Sequence, residues 1–407
     1  MAARNILFLD HTAKLGGGEL SVLDLLEGLD RSLYCPIVVL ASDGPMAQKV
    51  RDLGIDVRIL PLSSKVVDTR KDTLHFTAFL KLTSVFEIVK YAFSIAQLAR
   101  KLKAEIIHSN SLKSDIYGGL AARIAAIPAV WHVRDRIDDQ YLPKAAVQVF
   151  RLLCRLLPHA VIANSKSTLS CLSFHSRQTS AVVYECYNPK AYEQGLGANE
   201  AALPAVGCSP NLTIARGRSV IDPVVAVVGR IAEWKGQHVF IKAAEEVLKQ
   251  HPNAQFWIVG APLFGEHDYE KSLHHLVNSL GLQDSIHFLG FRTDISDILS
   301  KVTVMVHSST LGEPFGRVVV EGMAAGKPVV ATNGGALPEI IMDGLNGKLV
   351  PMNDSGAMAE AISFLLSDPI EAETIGHNGK QKVLDCFTLS QTARGVEKVY
   401  DLVLAAA

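Results

Sequence analysis

Short apolar runs bounded by turn residues recur along the chain, separated by longer stretches with helical spacing. In the first half these runs are NILFLD (5–10), CPIVVLAS (35–42), DVRILPL (56–62), EIIHSNS (105–111), AVWHVRD (129–135), HAVIANS (159–165) and SAVVYECYN (180–188). The second half adds DPVVAVVGR (222–230), QFWIVGA (255–261), SIHFLG (285–290), VTVMVHSS (302–309) and KPVVAT (327–332). Several are β-branched and apolar through the middle, as strands buried on both faces of a parallel sheet are. Between them lie helical patterns such as GQHVFIKAAEEVLKQHP (236–252) and YEKSLHHLVNSLG (269–281), the latter closing on Gly281 as a C-terminal cap. Strand–helix alternation in both halves predicts two doubly wound α/β domains.

The seam between them is less regular. Residues 190–221 mix Gly, Pro, Asn and Ala without sustained period, so the predicted organisation is a first domain over 1–190, a linker over 191–221 and a second domain over 222–388. The last stretch, 389–407, is amphipathic enough for a helix and needs a surface to pack on. A long helical region at 74–103 is apolar with Arg100, Lys101 and Lys103 at its far end. It reads as core with a solvated end, or as a face touching a membrane surface or a lipid-linked substrate.

Composition narrows the function classes. At 407 residues two domains are expected, and 48% hydrophobic with 20% charged residues is ordinary for a globular enzyme. A formal net charge of −1 gives no support to nucleic-acid binding. Six cysteines (35, 154, 171, 186, 208, 386) show no clustered metal-binding spacing and read as buried thiols in a reducing compartment. No apolar run is long enough to span a bilayer, and the first residues read as a strand rather than a secretion signal. The expected location is the cytoplasm, with the inner face of the membrane as a variant of it.

Candidate chemistry is sought at strand ends, because ligands of open α/β sheets sit outside the carboxyl ends of strands. Arg230 and Lys235 fall in the loop after AVVGR that leads into a helix, two cations beside a helix N-terminus and thus a receptor for a diphosphate. After VTVMVHSS comes TLGEP and then a helix predicted over FGRVVVEGMAAG, ending at Gly326. Glu313 precedes that helix and Glu321 stands roughly two turns into it, about 8–12 Å away at ~1.5 Å per residue. Two carboxylates at that separation suit a ligand with two diols flanking a phosphate group. The competing reading is an ordinary amphipathic helix with one solvated Glu. Gly316 allows close backbone approach at the positive helix end, Gly334 and Gly335 offer unhindered N–H donors, and Arg292 lies in the turn after IHFL. In the first domain Gly16, Gly17 and Gly18 open a helix after the first strand, and His132 sits at a strand end with Arg134 and Asp135 beside it. The polar strand ends HSNS (108–111) and NS (164–165) would line the same cleft.

Together GGGE near the start, WHVRD, GRIAEWKG, GFR, the block EPFGRVVVEGMAAGKPVVATNGGALPEII and DGLNGKLV resemble the retaining GT-B glycosyltransferases of family 4, over nearly the whole chain. The resemblance implies two Rossmann-like domains facing across a cleft, with the C-terminal helix crossing back to the first. It implies a hexosyltransferase-type enzyme (EC 2.4) moving a sugar from a nucleotide diphosphate sugar to a glycan, lipid-linked or small-molecule acceptor. It also implies the residue roles. Arg230 and Lys235 would bind the donor diphosphate. Glu313 would hold donor-sugar hydroxyls, helped by the N–H groups of Phe315 and Gly316. Glu321 would take the ribose and Arg292 would lie near the base. Gly17 and Gly18 would approach the donor phosphates or the acceptor, and His132 the reacting sugar. No cofactor and no metal are expected, since cations and helix N-termini can neutralise the leaving diphosphate; the acidic pair at 138–139 reads as solvated. A GT-B-type nucleotide-sugar epimerase and a non-catalytic sugar-nucleotide-binding subunit are the alternatives.

Overall fold

The computed structural model describes residues 3–62, 82–176, 178–190, 213–215, 218–220, 222–263 and 265–406. The chain divides into two compact units, one made of Met1–Cys186 with Thr388–Ala407, the other of Tyr187–Phe387.

The first unit is built on seven parallel strands: β1 (Arg4–Asp10), β2 (Tyr34–Leu40), β3 (Asp56–Ile59), β4 (Ile106–Ser109), β5 (Ala129–Val133), β6 (Ala160–Ala163) and β7 (Thr179–Val182). Their order is β3-β2-β1-β4-β5-β6-β7, so the chain reverses direction across the sheet between β1 and β4. The alternation within β1 shows why its sequence is apolar without a break. Ile6 and Phe8 face one layer, packed with Leu25 and Leu26 of the Gly17–Gly28 helix and with Val396 and Tyr400 of the Leu389–Ala405 helix. Leu7 and Leu9 face the other layer, against Ile95 and Ala99 of the Leu82–Lys101 helix and Ala121 of the Leu112–Ala125 helix. Both faces are covered, so neither can be polar. The Leu82–Lys101 helix occupies most of the apolar stretch 74–103, whose first part, 74–81, lies outside the described residues.

The C-terminal helix therefore belongs to the first unit. Thr388 and Gln391 form a capping box that fixes its start, and Tyr400, fully buried, places its hydroxyl 2.7 Å from His108 Nδ1. Tyr400→Ala is expected to cost about 3–5 kcal/mol of stability, read from the urea unfolding midpoint. Tyr400→Phe, which loses only the hydroxyl contact, should cost about 1 kcal/mol.

Within the stretch predicted as a linker, β8 (Thr213–Ala215) and β9 (Arg218–Val220) pair antiparallel. The second unit's sheet has six parallel strands: β10 (Val224–Val228), β11 (Gln255–Val259), β12 (Ile286–Gly290), β13 (Val304–His307), β14 (Val329–Thr332) and β15 (Lys348–Val350). Their order, β12-β11-β10-β13-β14-β15, repeats the reversal of the first unit, here between β10 and β13. Val225 and Val227 pack in one cluster with Phe240 and Ile241 of the Gln237–Leu248 helix and Met358 and Ile362 of the Ser355–Ser367 helix. Among the described residues no helix is long and apolar enough to cross a membrane.

Candidate active site

In the second unit the switch between β10 and β13 brings two strand exits together, and their loops carry Lys235 and Glu313. Lys235 Nζ donates to Glu313 Oε1 at 3.0 Å and Oε2 at 2.9 Å. Behind the carboxylate, Oε2 also lies 3.1 Å from His307 Nε2 and accepts from Ser309 Oγ at 3.1 Å. A carboxylate only accepts, so His307 carries its proton on Nε2. Thr332 at the end of β14 closes the shell, donating to Ser309 O at 2.9 Å. Among the described residues Oε1 accepts from Lys235 alone, which leaves a lone pair for a ligand hydroxyl. Burial by itself would raise the Glu313 carboxyl; the Lys235 charge and the bonds from His307 and Lys235 outweigh it and hold the group well below the usual carboxylate range. A buried, ionised acceptor with a cation on one side is the result.

The backbone around Glu313 is set by Gly335. Glu313 and Gly335 form an isolated parallel bridge, and Ala336 N–H donates to Glu313 O at 2.9 Å. Gly335 has φ +64°, and a Cβ there would stand 2.0 Å from Glu313 O. Only glycine fits.

The helix that follows begins later than the sequence spacing suggests. It runs Arg317–Ala324 with Gly316, φ +104°, as its N-cap, so Pro314 and Phe315 belong to the preceding turn. Glu321 is thus about one turn into the helix, not two; at the far end Ala325 is followed by Gly326, φ +71°, which stops the helix as expected. The reason for the late start is the left-handed Gly316, which turns the chain before helical geometry can start. Val319 N–H turns back to Gly316 O at 3.0 Å, and the N–H groups of this first turn point along the axis to form the helix's positive end. Glu321 stands 3.8 Å from Arg317. The Phe315 side chain is buried, with its ring 5.8 Å from that of Phe387, so only its main chain is suited to a ligand.

Arg230 and Lys235 share a support that sequence reasoning missed. The Arg230 guanidinium lies 5.7 Å and Lys235 Nζ 4.3 Å from the Trp234 ring, while Arg230 also pairs with Glu266 at 3.5 Å. Arg292 is held by Asp294, to which its Nε donates at 2.7 Å, directly after β12. His307, Ser309 and Thr332 were also missed; the signal was the HSS that ends the β13 run, polar residues where an apolar strand meets its exit loop.

In the first unit, the glycine-rich loop caps the Gly17–Gly28 helix through Gly16. A Cβ added at Gly18 would meet nothing within 4 Å, so packing inside the unit does not demand glycine there. Burial, then the Asp10 charge, push the Glu19 carboxyl up to about 7. His132 lies one residue before the end of β5 in full burial; Nδ1 is 3.2 Å from Arg134 Nη2, and among the described residues Nε2 has no hydrogen-bond partner. Burial, followed by the positive charge of Arg134, holds its pKa well below the usual histidine value. Asn110 and Asn164, just after β4 and β6, meet Arg134 there: Arg134 Nη2 lies 3.5 Å from Asn110 Oδ1, and Asn164 Nδ2 donates to Arg134 O at 3.3 Å.

Two family descriptions match the chain. Glycosyltransferase Family 4 matches residues 15–184 and Glycosyl transferases group 1 matches residues 215–382. The uncharacterized glycosyltransferase MJ1607 of Methanocaldococcus jannaschii is 25% identical over 406 residues, 96% of this chain and 95% of that protein. The lipopolysaccharide core biosynthesis mannosyltransferase LpcC of Rhizobium leguminosarum bv. viciae is 33% identical over 184 residues, 44% of this chain and 51% of that one. The chain spans about half the length of several such relatives, including 57% of spore coat protein SA of Bacillus subtilis. Among solved structures, Anabaena Alr3699/HepE in complex with UDP-glucose is similar with a TM-score of 0.78 and 26% identity, covering 98% of this chain and 99% of that one. Sucrose-phosphate synthase of Thermosynechococcus elongatus shares the fold, with a TM-score of 0.75 at 19% identity. Two switch-point sheets, each with its own strand-end polar site, and matches over both units agree: the chain has the GT-B fold and belongs to the family 4, group 1 glycosyltransferases.

Proposed function

We propose that the protein is a retaining, metal-independent transferase that moves a hexose from a nucleoside diphosphate sugar to a glycan or lipid-linked acceptor. The observation that carries this reading is the buried Glu313 carboxylate with Lys235 on its near side, placed just before a helix that carries Glu321 about one turn in. Glu313 Oε1 accepts a sugar hydroxyl, Lys235 and Arg230 take the diphosphate oxygens, and Glu321 accepts from the ribose diol. Charge developing on the leaving diphosphate is met by these cations and by helix N–H groups, a role a divalent ion fills elsewhere. Arg292 and the main chain of Phe315 and Gly316 complete the donor contacts. The UDP-glucose bound by Alr3699/HepE supports a uridine donor, and the lipopolysaccharide role of LpcC supports a lipid-linked acceptor. Phe86 and Phe93, exposed on the helix that ends in Arg100 and Lys101, favour an acceptor presented at the inner face of a membrane.

The test is a titration with UDP-, GDP- and ADP-sugars, with and without chelator, followed by turnover on lipid and glycan extracts. One donor class should bind irrespective of chelator, and Glu321→Ala should weaken it about 10–100-fold, the loss of ~1–3 kcal/mol for a diol left without its acceptor. Binding of no nucleotide sugar, or unchanged affinity in Glu321→Ala, would sink the assignment.

A further inference from the structure

His132 is reached by a chain of buried polar groups in the first unit that runs through Arg134 to Glu185. Glu185, just after β7 and 4% exposed, accepts from Arg134 Nη1 at 2.9 Å and from Asn164 Nδ2 at 3.3 Å. Its second oxygen accepts from the Ser21 hydroxyl, on the helix opened by the glycine loop. Arg134 is itself only 7% exposed in its side chain, so the pair is an ion pair out of water, oriented on both sides. The other end of the guanidinium points Nη2 at His132 Nδ1, 3.2 Å away.

Arginine has donors and no acceptor. Nδ1 must therefore present its lone pair, and in a neutral ring the proton must sit on Nε2. Two further features keep the ring neutral. It is fully buried beside a fixed positive charge, and the His108 ring stands 5.4 Å away. Nε2 has no partner among the described residues, although a buried N–H without an acceptor is costly.

We propose that Glu185 is a positioning residue which, through Arg134, fixes His132 as the Nε2–H tautomer, so that His132 donates a hydrogen bond to a substrate oxygen and does not accept a proton in the reaction. The Arg134 bond to Nδ1 draws electron density from the ring and strengthens Nε2–H as a donor. Asn164 and Ser21 hold the carboxylate that holds the arginine, which ties the glycine-loop helix to the orientation of the imidazole. The proposal rests on the transferase reading for what the bond acts on, but its tautomer is a property of the free protein.

The experiment is long-range 1H–15N correlation on the full chain labelled with 15N-histidine, the His132 signals assigned by their loss in His132→Asn. At neutral pH Nδ1 should appear unprotonated and Nε2 protonated. A protonated Nδ1, alone or with Nε2, overturns the proposal whatever the donor proves to be. In Glu185→Gln, checked as folded by an unchanged circular dichroism spectrum, the Nδ1–H tautomer should rise to a comparable population. On the donor that the panel selects, kcat should fall about tenfold with KM within about twofold, because the group lost acts on orientation rather than donor affinity. A folded Glu185→Gln with the wild-type tautomer also overturns it. Where that variant does not fold, the wild-type spectrum decides.

Discussion

Lys235→Met is expected to lower kcat/KM about a thousandfold and to remove about 3 kcal/mol of stability at neutral pH. The kinetic loss is that of a cation aimed at the leaving diphosphate in a buried site. The stability loss comes from Glu313, which the substitution leaves as a buried carboxylate with its opposing charge gone. The two losses separate by pH. In the wild type the Glu313 carboxyl is held below its unfolded value, so its contribution is fully present above that value and fades as pH falls through the folded one. Without Lys235 the burial that raises the group is opposed only by His307 and Ser309, and its folded pKa moves up. The variant then pays its penalty at neutral pH and recovers as the carboxyl protonates. Thermal unfolding across a pH series should show the gap between the two proteins narrowing toward acid. A gap independent of pH would mean that Lys235 supports something other than the Glu313 charge.

The second large effect is steric. In Gly335→Ala the new Cβ would lie 2.0 Å from Glu313 O and 2.4 Å from Glu313 N, main chain against main chain, with no flexible group to yield. The positive φ adds its own strain. The expected loss is about 3–5 kcal/mol, with donor affinity falling in parallel because Glu313 is what the collision displaces. Gly344→Ala is the control: its φ is +74°, yet a Cβ there meets nothing within 4 Å. It should cost only about 1 kcal/mol and leave donor affinity alone. Calorimetric titration and thermal unfolding of both variants measure the difference, and equal effects would remove the Glu313–Gly335 bridge from the account.

How far the sequence was legible follows from what each pattern encodes. Strands such as Val304–His307 and Ala129–Val133 were readable because burial on both faces forces an unbroken apolar run. Lys348–Val350 was not, being a three-residue edge strand with too little pattern to register. The start of the Arg317–Ala324 helix was misread by two residues because the left-handed turn at Gly316 leaves no periodic mark. Strand order escapes sequence altogether, and with it the meeting of Lys235 and Glu313 across β10 and β13. Supporting polar residues were the least legible. Glu185 lies in an apolar run and looks like an interruption, and only its bonds to Arg134, Asn164 and Ser21 give it a place.

The helix Leu389–Ala405 has a consequence for the order in which the molecule is made. It supplies Ala393, Val396, Val399, Tyr400 and Val403 to the core around Ile6, Phe8, Leu25 and Leu26. A ribosome delivers those residues some four hundred positions after the first strand, and Tyr187–Phe387 emerges in between as one continuous stretch. The later-made unit can close its core while the earlier one still waits with an open apolar face, reversing the usual N-to-C sequence of domain folding. Nascent chains halted before residue 389 should hold a protease-resistant second unit beside a first unit that needs a chaperone.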